Sequence, residues 1–190
     1  MLINDRLTVS EGMAITLIGY RGCGKSTVGQ LLASRLGWPC VDSDDVIEQE
    51  TGLTISQIFA TCGESGFREK ETDVLHELLK RNQTVVAAGG GAVLSERNRR
   101  MMKDAGPVVW LQASPENLAA RIEQDQNSAT RRPSLTGKSI TDEVRDVLLQ
   151  RLPCYADAAT LTVDVDFGTP EEIAEGIFRE LNLTRGQSAS

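Results

Sequence analysis

The sequence predicts an α/β fold in which a parallel β-sheet lies between two layers of α-helices. Short apolar runs alternate with helical patterns along the 190 residues, which is typical of β-α-β units that feed a parallel sheet. A glycine-rich segment separates the first apolar run from the first helical pattern. Two later helical patterns begin at Ser114-Pro115 and Thr169-Pro170, where Ser or Thr caps a helix and Pro occupies its first turn.

Five strands are predicted, over residues 14–18, 39–41, 84–88, 108–111 and 160–163, because each segment is short, apolar and rich in β-branched residues. Helices are predicted between them, and a long helix is predicted to end at Arg151, before Pro153. The apolar positions at helical spacing are Val28, Leu31, Leu32 and Leu36; Phe67, Val74, Leu75, Leu78 and Leu79; Leu118 and Ile122; and Ile173, Ile177 and Leu181.

Length and composition predict one domain, over residues 13–183, with loose tails at residues 1–12 and 184–190. The net charge of −7 argues against a nucleic-acid partner, because nucleic-acid binding requires a basic surface. The chain has no apolar stretch long enough for a membrane span and no apolar centre of a signal peptide. Its four cysteines have no metal-site or redox-pair spacing, so we expect reduced thiols in a cytoplasmic protein, and we expect a monomer.

The segment Gly19-Tyr20-Arg21-Gly22-Cys23-Gly24-Lys25-Ser26 matches the phosphate-binding pattern Gly-x-x-x-x-Gly-Lys-Ser/Thr. Backbone N–H groups of such a loop converge on a phosphate, and the following helix adds the positive end of its dipole. Lys25 is predicted to reach the β- and γ-phosphates, and the Ser26 hydroxyl is predicted to hold Mg²⁺. The predicted ATP-binding residues of this loop are Gly22, Cys23, Gly24, Lys25, Ser26 and Thr27.

Polar or glycine residues follow the second and third predicted strands, at the edge of a parallel sheet where ligands bind. Asp42 is predicted to serve Mg²⁺, and Asp44 is predicted to orient an acceptor hydroxyl for in-line attack. Helix capping is the alternative role for this acidic run, and both roles can hold at once. The Gly89-Gly90-Gly91 triplet indicates a close approach of the backbone to a ligand.

Arginines supply positive charge that the composition as a whole lacks. Arg68 is predicted to begin a helix and to pair with Glu71, three residues on, which would fix its guanidinium for a carboxylate. Residues 124–138 are almost free of apolar side chains, which predicts a mobile lid carrying Arg131 and Arg132. A solvated loop without a role in the site is the alternative for that segment.

Several of these blocks, in this order, resemble the shikimate kinase family. The blocks are the phosphate loop, Asp42-Ser43-Asp44, Gly63-Glu64 with Phe67-Arg68, Gly89-Gly90-Gly91, Arg132-Pro133-Ser134-Leu135 and Arg151-Leu152-Pro153-Cys154-Tyr155. The resemblance covers residues 14–183. It implies a P-loop kinase fold of the nucleoside-monophosphate-kinase type, with a five-stranded parallel sheet in three layers, and ATP-dependent phosphorylation of the 3-hydroxyl of shikimate in aromatic amino-acid biosynthesis.

The resemblance also implies residue roles. It assigns catalysis to Asp44, Lys25 and Arg132, and Arg132 would also bind phosphate. It assigns Mg²⁺ binding to Ser26 and Asp42. Residues 51–77 become the shikimate-binding region, and Arg121 with a residue near Pro170 flanks the adenine. The implied shikimate-binding residues are Asp44, Phe59, Phe67, Arg68, Gly89, Gly90, Gly91 and Arg151.

Other protein classes share part of this pattern. A gluconate or nucleoside-monophosphate kinase would use the same phosphate loop and a similar lid, with different acceptor-site residues. A kinase-like regulator would bind shikimate without turnover, but it would be expected to lose Lys25 or Asp44, and this chain keeps both. A GTP-dependent switch protein is disfavoured, since the sequence has no Asn-Lys-x-Asp motif for reading the base.

Overall fold

The computed structural model of the chain describes residues 12–124 and 139–183. Within these ranges, five strands form one sheet in the order β2-β3-β1-β4-β5, and every neighbouring pair is parallel. The strands are β1 (Ala14–Ile18), β2 (Cys40–Asp42), β3 (Thr84–Ala87), β4 (Val108–Gln112) and β5 (Leu161–Asp164). The predicted five-stranded parallel sheet is therefore confirmed, with strand ends that differ from the prediction by one residue at most.

Seven helices flank this sheet in the described part of the chain. They are α1 (Lys25–Leu36), α2 (Ser43–Thr51), α3 (Ile55–Leu79), α4 (Glu96–Ala105), α5 (Pro115–Gln124), α6 (Ile140–Ala158) and α7 (Pro170–Glu180). A short 3₁₀ turn, Ala92–Leu94, follows the glycine triplet. Ser114 and Thr169 cap α5 and α7 as predicted, since their hydroxyls accept the N–H groups of Asn117 and Glu172.

Both faces of the sheet are buried, and side chains alternate between them along each central strand. Ile15 and Leu17 of β1 pack in one cluster with α1 and α7. Ile18, the next residue of β1, packs in a second cluster with α3, α4 and α6. Near-continuous apolar strands of this kind are expected when helices cover both faces of a parallel sheet, and the three-layer prediction is confirmed.

Helix α6 continues past the point where the sequence predicted its end. The prediction that it stops at Arg151 is wrong, because the helix includes Pro153 and ends at Ala158. Proline removes one backbone donor inside a helix, but tertiary contacts hold the turn that follows. Tyr155 and Ala158 have no exposed surface, and Asp157 forms ion pairs with side chains of α4.

The prediction that Arg68 begins a helix is also wrong, since Arg68 lies inside α3. This helix has one interruption, at Gly63, where φ is 68° and ψ is −175°. This dihedral region is essentially restricted to glycine. The residues before Gly63 and those after it therefore form two helical segments that meet at an angle set by one residue.

Some sequence predictions lie outside the described residues. These are the lid from residue 125 onward with Arg131 and Arg132, residues 1–11 of the tail predicted for residues 1–12, and the tail at residues 184–190. In the ranges that are described, none of the helices has the length and apolar character needed to span a membrane.

The cap of α7 gives a stability prediction. The Thr169 hydroxyl accepts the Glu172 N–H at 3.3 Å, and the Glu172 carboxylate accepts the Thr169 N–H at 2.8 Å. Thr169→Ala removes the hydroxyl, so we expect the free energy of unfolding to fall by about 1 kcal/mol and the melting temperature by about 3 °C. Calorimetry measures both, with Thr169→Ser as the control that keeps the cap. An unchanged melting temperature in Thr169→Ala would contradict this.

Candidate active site

The glycine-rich segment forms a tight loop between β1 and α1. Gly24 caps α1 in the left-handed conformation, with φ of 94°, which is accessible to glycine at little cost. Gly19 passes so close to β4 that a Cβ on it would lie 2.6 Å from the Leu111 carbonyl oxygen. The loop is therefore shaped by close backbone approach, and its N–H groups lie at the positive end of α1.

Lys25 folds back over this loop. Its Nζ donates to the carbonyl oxygens of Gly19, at 2.9 Å, and Tyr20, at 3.1 Å. Among the described residues it has no acidic partner within ion-pair distance, so its charge is not neutralised by a carboxylate. An ammonium held by neutral carbonyls at a helix N-terminus is suited to exchange those contacts for the oxygens of an anionic ligand.

Ser26 and Asp42 meet at the carboxyl end of β2. The Ser26 hydroxyl donates to Asp42 Oδ2 at 2.7 Å, and Asp42 Oδ1 accepts the Asp44 N–H at 3.0 Å. Asp42 therefore caps α2, and Asp44 lies two residues further along, in the first turn of that helix. A hydroxyl beside a carboxylate is a pair of oxygen ligands of the kind that Mg²⁺ prefers, so the two residues fit the metal that the sequence predicted for them.

The glycine triplet lies against three charged side chains. A Cβ on Gly89 would lie 2.6 Å from Asp44 Oδ1 and 2.8 Å from Glu71 Oε1, and a Cβ on Gly91 would lie 2.4 Å from the Arg68 guanidinium. Side chains of α2 and α3 thus occupy the space that larger residues would fill at the end of β3. The triplet does mark a close approach of the backbone, but its neighbours here are side chains of the same chain, and the predicted approach to a ligand stays a prediction.

One of the triplet's N–H groups is already used within the chain. The Gly89 N–H donates to the buried Ser43 hydroxyl at 2.9 Å. This contact ties the end of β3 to the first residue of α2. It also sets the position of Asp44, which is the next residue along that helix.

Arg68 is held by an ion pair that the sequence predicted. Its Nη1 lies 2.6 Å from Glu71 Oε2, and the Glu71 side chain is only 1 % exposed. A weaker contact of 3.4 Å joins Arg68 to Glu64. Because a buried carboxylate requires a compensating charge, Glu71 fixes the guanidinium in place, while 21 % of the Arg68 side chain stays exposed and available to a ligand.

Arg151 reaches the same place from α6. Its Nη1 donates to the Gly90 carbonyl oxygen at 3.0 Å, and its guanidinium lies 5.8 Å from the centre of the Tyr20 ring. No carboxylate of the described residues pairs with it. Lys25, Arg68 and Arg151 thus bring three positive charges to the carboxyl edge of the sheet, although the whole chain is acidic.

Phe59 and Phe67 lie beside this group, but they are not equivalent. Their rings stack with centroids 4.6 Å apart. Phe67 has no exposed surface and packs against the Phe59 ring, so its direct contact with a ligand stays a prediction. Phe59 is half-buried and presents the ring that remains accessible.

Arg121 occupies the other side of the phosphate loop. Its Nη2 donates to the Val165 carbonyl at 2.8 Å, and its Cβ would lie 3.7 Å from a Cβ on Gly22. Arg121 thus joins α5, the phosphate loop and the segment after β5. Among the predicted site residues only Arg132 is left unplaced, because it lies outside the described residues.

One residue of this site escaped the sequence interpretation. The Tyr155 hydroxyl donates to the Gly90 carbonyl oxygen at 2.7 Å, and its ring stacks on Trp110 with centroids 5.5 Å apart. Burial raises the pKa of this phenol well above its usual value, so it stays protonated and donates. Because the helix was predicted to end at Arg151, the four-residue spacing that puts Tyr155 on the same face was not used.

A family model and two related proteins indicate the same family for this chain. The family model described as "SKI: Shikimate kinase" matches residues 21–182. A shikimate kinase from Rhodopirellula baltica is 45 % identical over 172 residues, which cover 90 % of this chain and 92 % of that protein. A shikimate kinase from Nitratidesulfovibrio vulgaris is 43 % identical over 157 residues, or 83 % of this chain and 89 % of that one.

Solved structures agree with these sequences. A structure of shikimate kinase from Acinetobacter baumannii in complex with shikimate matches with a TM-score of 0.82 and 40 % identity, over 88 % of this chain and 91 % of that one. A gluconokinase from Sinorhizobium meliloti also matches, with a TM-score of 0.57, over 90 % of this chain and 92 % of that one. At 19 % identity, the gluconokinase shows a common fold and nothing more about function.

The strand that leads into the site gives a prediction about thiol reactivity. Burial, assisted by the charge of Asp42, raises the pKa of Cys40 to about 11. At pH 8 about one Cys40 in a thousand is then a thiolate, which is the reactive form. We expect iodoacetamide to label Cys40 far more slowly than the exposed Cys62, and the Cys40 rate to rise with pH up to about 11.

Peptide mass spectrometry after timed alkylation at pH 8 and pH 10 measures both rates. Equal labelling of Cys40 and Cys62 at pH 8 would show that the Cys40 thiol is not shielded from the reagent and that its pKa is not raised.

Proposed function

The chain belongs to the shikimate kinase family, and from this we propose that it transfers the γ-phosphoryl group of ATP to the 3-hydroxyl of shikimate. The observation that carries this proposal is the convergence of Asp44, Arg68 and Arg151 on the glycine triplet, directly beside the phosphate loop. The phosphate loop alone would fit any P-loop kinase. Two arginines and one carboxylate beside the glycine triplet fit an acceptor with a carboxylate and a ring of hydroxyls.

We assign the acceptor's carboxylate to Arg68 and Arg151. Guanidinium groups bind carboxylates through paired hydrogen bonds, and these two approach from different helices. Glu71 prevents Arg68 from rotating away. With its carboxylate fixed at one side and the half-buried Phe59 against the ring, a small acid would be held in one orientation.

We assign the orientation of the reacting hydroxyl to Asp44. Phosphoryl transfer passes through a loose transition state, so alignment and charge neutralisation contribute more than early removal of the proton. A carboxylate that accepts the hydroxyl hydrogen directs the oxygen lone pair toward the phosphorus, and it takes the proton as the new P–O bond forms. The position of Asp44 is set by the cap at Asp42 and by the Ser43 contact with Gly89.

The donor side is assigned to the phosphate loop, residues Gly22 to Thr27, with Arg121 beside the adenine. Lys25 would exchange the Gly19 and Tyr20 carbonyls for phosphate oxygens, and so stabilise negative charge as it moves to the leaving group. Mg²⁺ held by Ser26 and by Asp42 would neutralise part of the triphosphate charge. Arg132, in the predicted lid of residues 124–138, is proposed to approach the γ-phosphate when both substrates are present.

We further propose that residues 13–183 act as one domain, with residues 51–77 binding shikimate, in a monomeric cytoplasmic enzyme that has no nucleic-acid or membrane partner. The four cysteines are free, as expected for a reducing compartment. Light scattering on the purified chain tests the monomer, and fractionation of cells tests the compartment.

The direct test of the function is ADP release by the purified chain with MgATP, with and without shikimate. Rapid release only with shikimate, together with shikimate 3-phosphate in the product, supports the proposal. Shikimate binding without turnover would identify a regulator, and turnover of gluconate in place of shikimate would identify the other kinase class.

The role of Asp44 is tested by Asp44→Asn, which keeps the shape of the side chain but removes the charge. We expect kcat to fall at least about 100-fold, while shikimate binding measured by calorimetry changes only a few-fold. Asp45→Asn is the matched control, because Asp45 is the next residue of α2 and is exposed, and it should keep kcat within about two-fold. Full activity in Asp44→Asn would remove this residue from the mechanism.

The close approach at Gly89 gives a further prediction. Gly89→Ala places a methyl group where Asp44 and Glu71 now lie. The Gly89 backbone is not left-handed, so the effect is steric, and we expect the shikimate KM to rise at least about ten-fold, or roughly 1.4 kcal/mol.

Gly176→Ala is the control, because a Cβ there meets nothing within 4 Å. It should keep the wild-type KM and add up to about 1 kcal/mol of helix stability. Equal KM values in the two variants would refute the steric account.

A further inference from the structure

The Gly90 carbonyl oxygen is the point where two side chains of α6 meet the glycine triplet. Arg151 Nη1 donates to it at 3.0 Å and the Tyr155 hydroxyl donates to it at 2.7 Å. A carbonyl oxygen has two lone pairs, and these two donors use both. Arg151 and Tyr155 are four residues apart, so they lie on one face of the helix.

Tyr155 is fixed more firmly than Arg151. It is fully buried, its ring stacks on Trp110 of the central sheet, and its raised pKa keeps the hydroxyl protonated. Arg151 is only half-buried, and besides the Gly90 carbonyl it contacts the Tyr20 ring and the Tyr155 hydroxyl itself. A long, half-exposed side chain has many rotamers available unless such contacts order it, and ordering it costs free energy.

Gly90 itself is packed against the phosphate loop. A Cβ on it would lie 3.3 Å from the Gly19 carbonyl oxygen and 3.5 Å from the Arg21 nitrogen. The carbonyl that orients Arg151 is therefore held from one side by the loop and from the other by Tyr155. If the Tyr155 hydroxyl were missing, the peptide group could tilt and the Gly90 carbonyl that accepts from Arg151 would move with it. Arg151 would also lose its own contact with that hydroxyl.

We propose that Tyr155 is a positioning residue for shikimate: by fixing the Gly90 carbonyl it holds Arg151 in the orientation that receives the acceptor's carboxylate. This inference rests on the proposed function, in which Arg151 binds shikimate. Tyr155 does not touch the substrate. It lowers the cost of ordering Arg151, so its contribution is confined to acceptor binding and depends on the arginine.

The test is Tyr155→Phe, which removes one oxygen and keeps the ring stacked on Trp110. The Gly90 carbonyl keeps Arg151 as a donor, so the variant is expected to fold, and thermal melting checks this. We expect the shikimate KM and calorimetric Kd to rise about three- to ten-fold, in line with the loss of one hydrogen bond. The kcat at saturating shikimate should change less than about two-fold, because the reacting groups are untouched.

A double-mutant cycle separates positioning from general destabilisation. Arg151→Ala alone should raise the shikimate KM strongly, and adding Tyr155→Phe to it should raise KM by less than about two-fold, because the residue it acts through is gone. Val144→Ala is the control. Val144 is a buried residue of the same helix in the other core cluster, so this variant should lower the melting temperature and keep KM.

Three other outcomes of these measurements would each contradict a specific claim. An unchanged KM in Tyr155→Phe, with a raised KM in Arg151→Ala, overturns the positioning role alone. An equal increase from Tyr155→Phe with and without Arg151 also overturns it, since Tyr155 would then act independently. Wild-type protein that neither binds nor phosphorylates shikimate overturns the proposed function and this inference together.

Discussion

The whole site depends on how closely the backbone of residues 89–91 approaches side chains from three helices. Asp44 and Glu71 lie against Gly89, the Gly90 carbonyl receives Arg151 and Tyr155, and the Arg68 guanidinium lies against Gly91. A side chain on Gly89 or Gly91 would occupy the space that Asp44, Glu71 and Arg68 fill, and one on Gly90 would press against the phosphate loop. The end of β3 is therefore the surface that charged side chains of α2, α3 and α6 contact.

This arrangement also explains how an acidic protein can hold an anion. The net charge of −7 belongs to the chain as a whole, whereas binding depends on charge within a few ångströms because water and salt screen more distant groups. Arg68 is partly neutralised by Glu71, and Lys25 contacts carbonyl groups. The charges of Lys25 and Arg151, which pair with no carboxylate of the described residues, are therefore available to an anion at the carboxyl edge of the sheet, and the acidic groups elsewhere on the surface have little influence on them.

The sequence predicted the features that depend on local pattern. The alternation of apolar runs and helices located the five strands to within one residue at either end, and the loop motif located Lys25 and Ser26. Asp42 and the Arg68 pair with Glu71 were predicted from spacing alone. Local pattern could not reveal that Phe67 is fully buried, because an aromatic residue on an amphipathic helix has the same signature whether it faces a ligand or the core.

The path of α6 shows a different limit. Proline predicts a helix end, and that rule fails here because the turn after Pro153 is held by contacts with residues distant in sequence, Trp110 and Gly90 among them. No local signal reports such contacts. The role of Tyr155 was missed for the same reason. In a helix that continues through Pro153, the spacing Arg-x-x-x-Tyr places the two residues about one turn apart.

The interruption of α3 at Gly63 has a consequence for how this protein can vary. No heavy atom would meet a side chain at this position within 4 Å, so bulk by itself would be accepted there. The restriction comes from torsion angles that other amino acids almost never adopt. A substitution at residue 63 would therefore change the direction in which the segment bearing Phe59 leaves the rest of the helix, although the position is exposed and has open space around it.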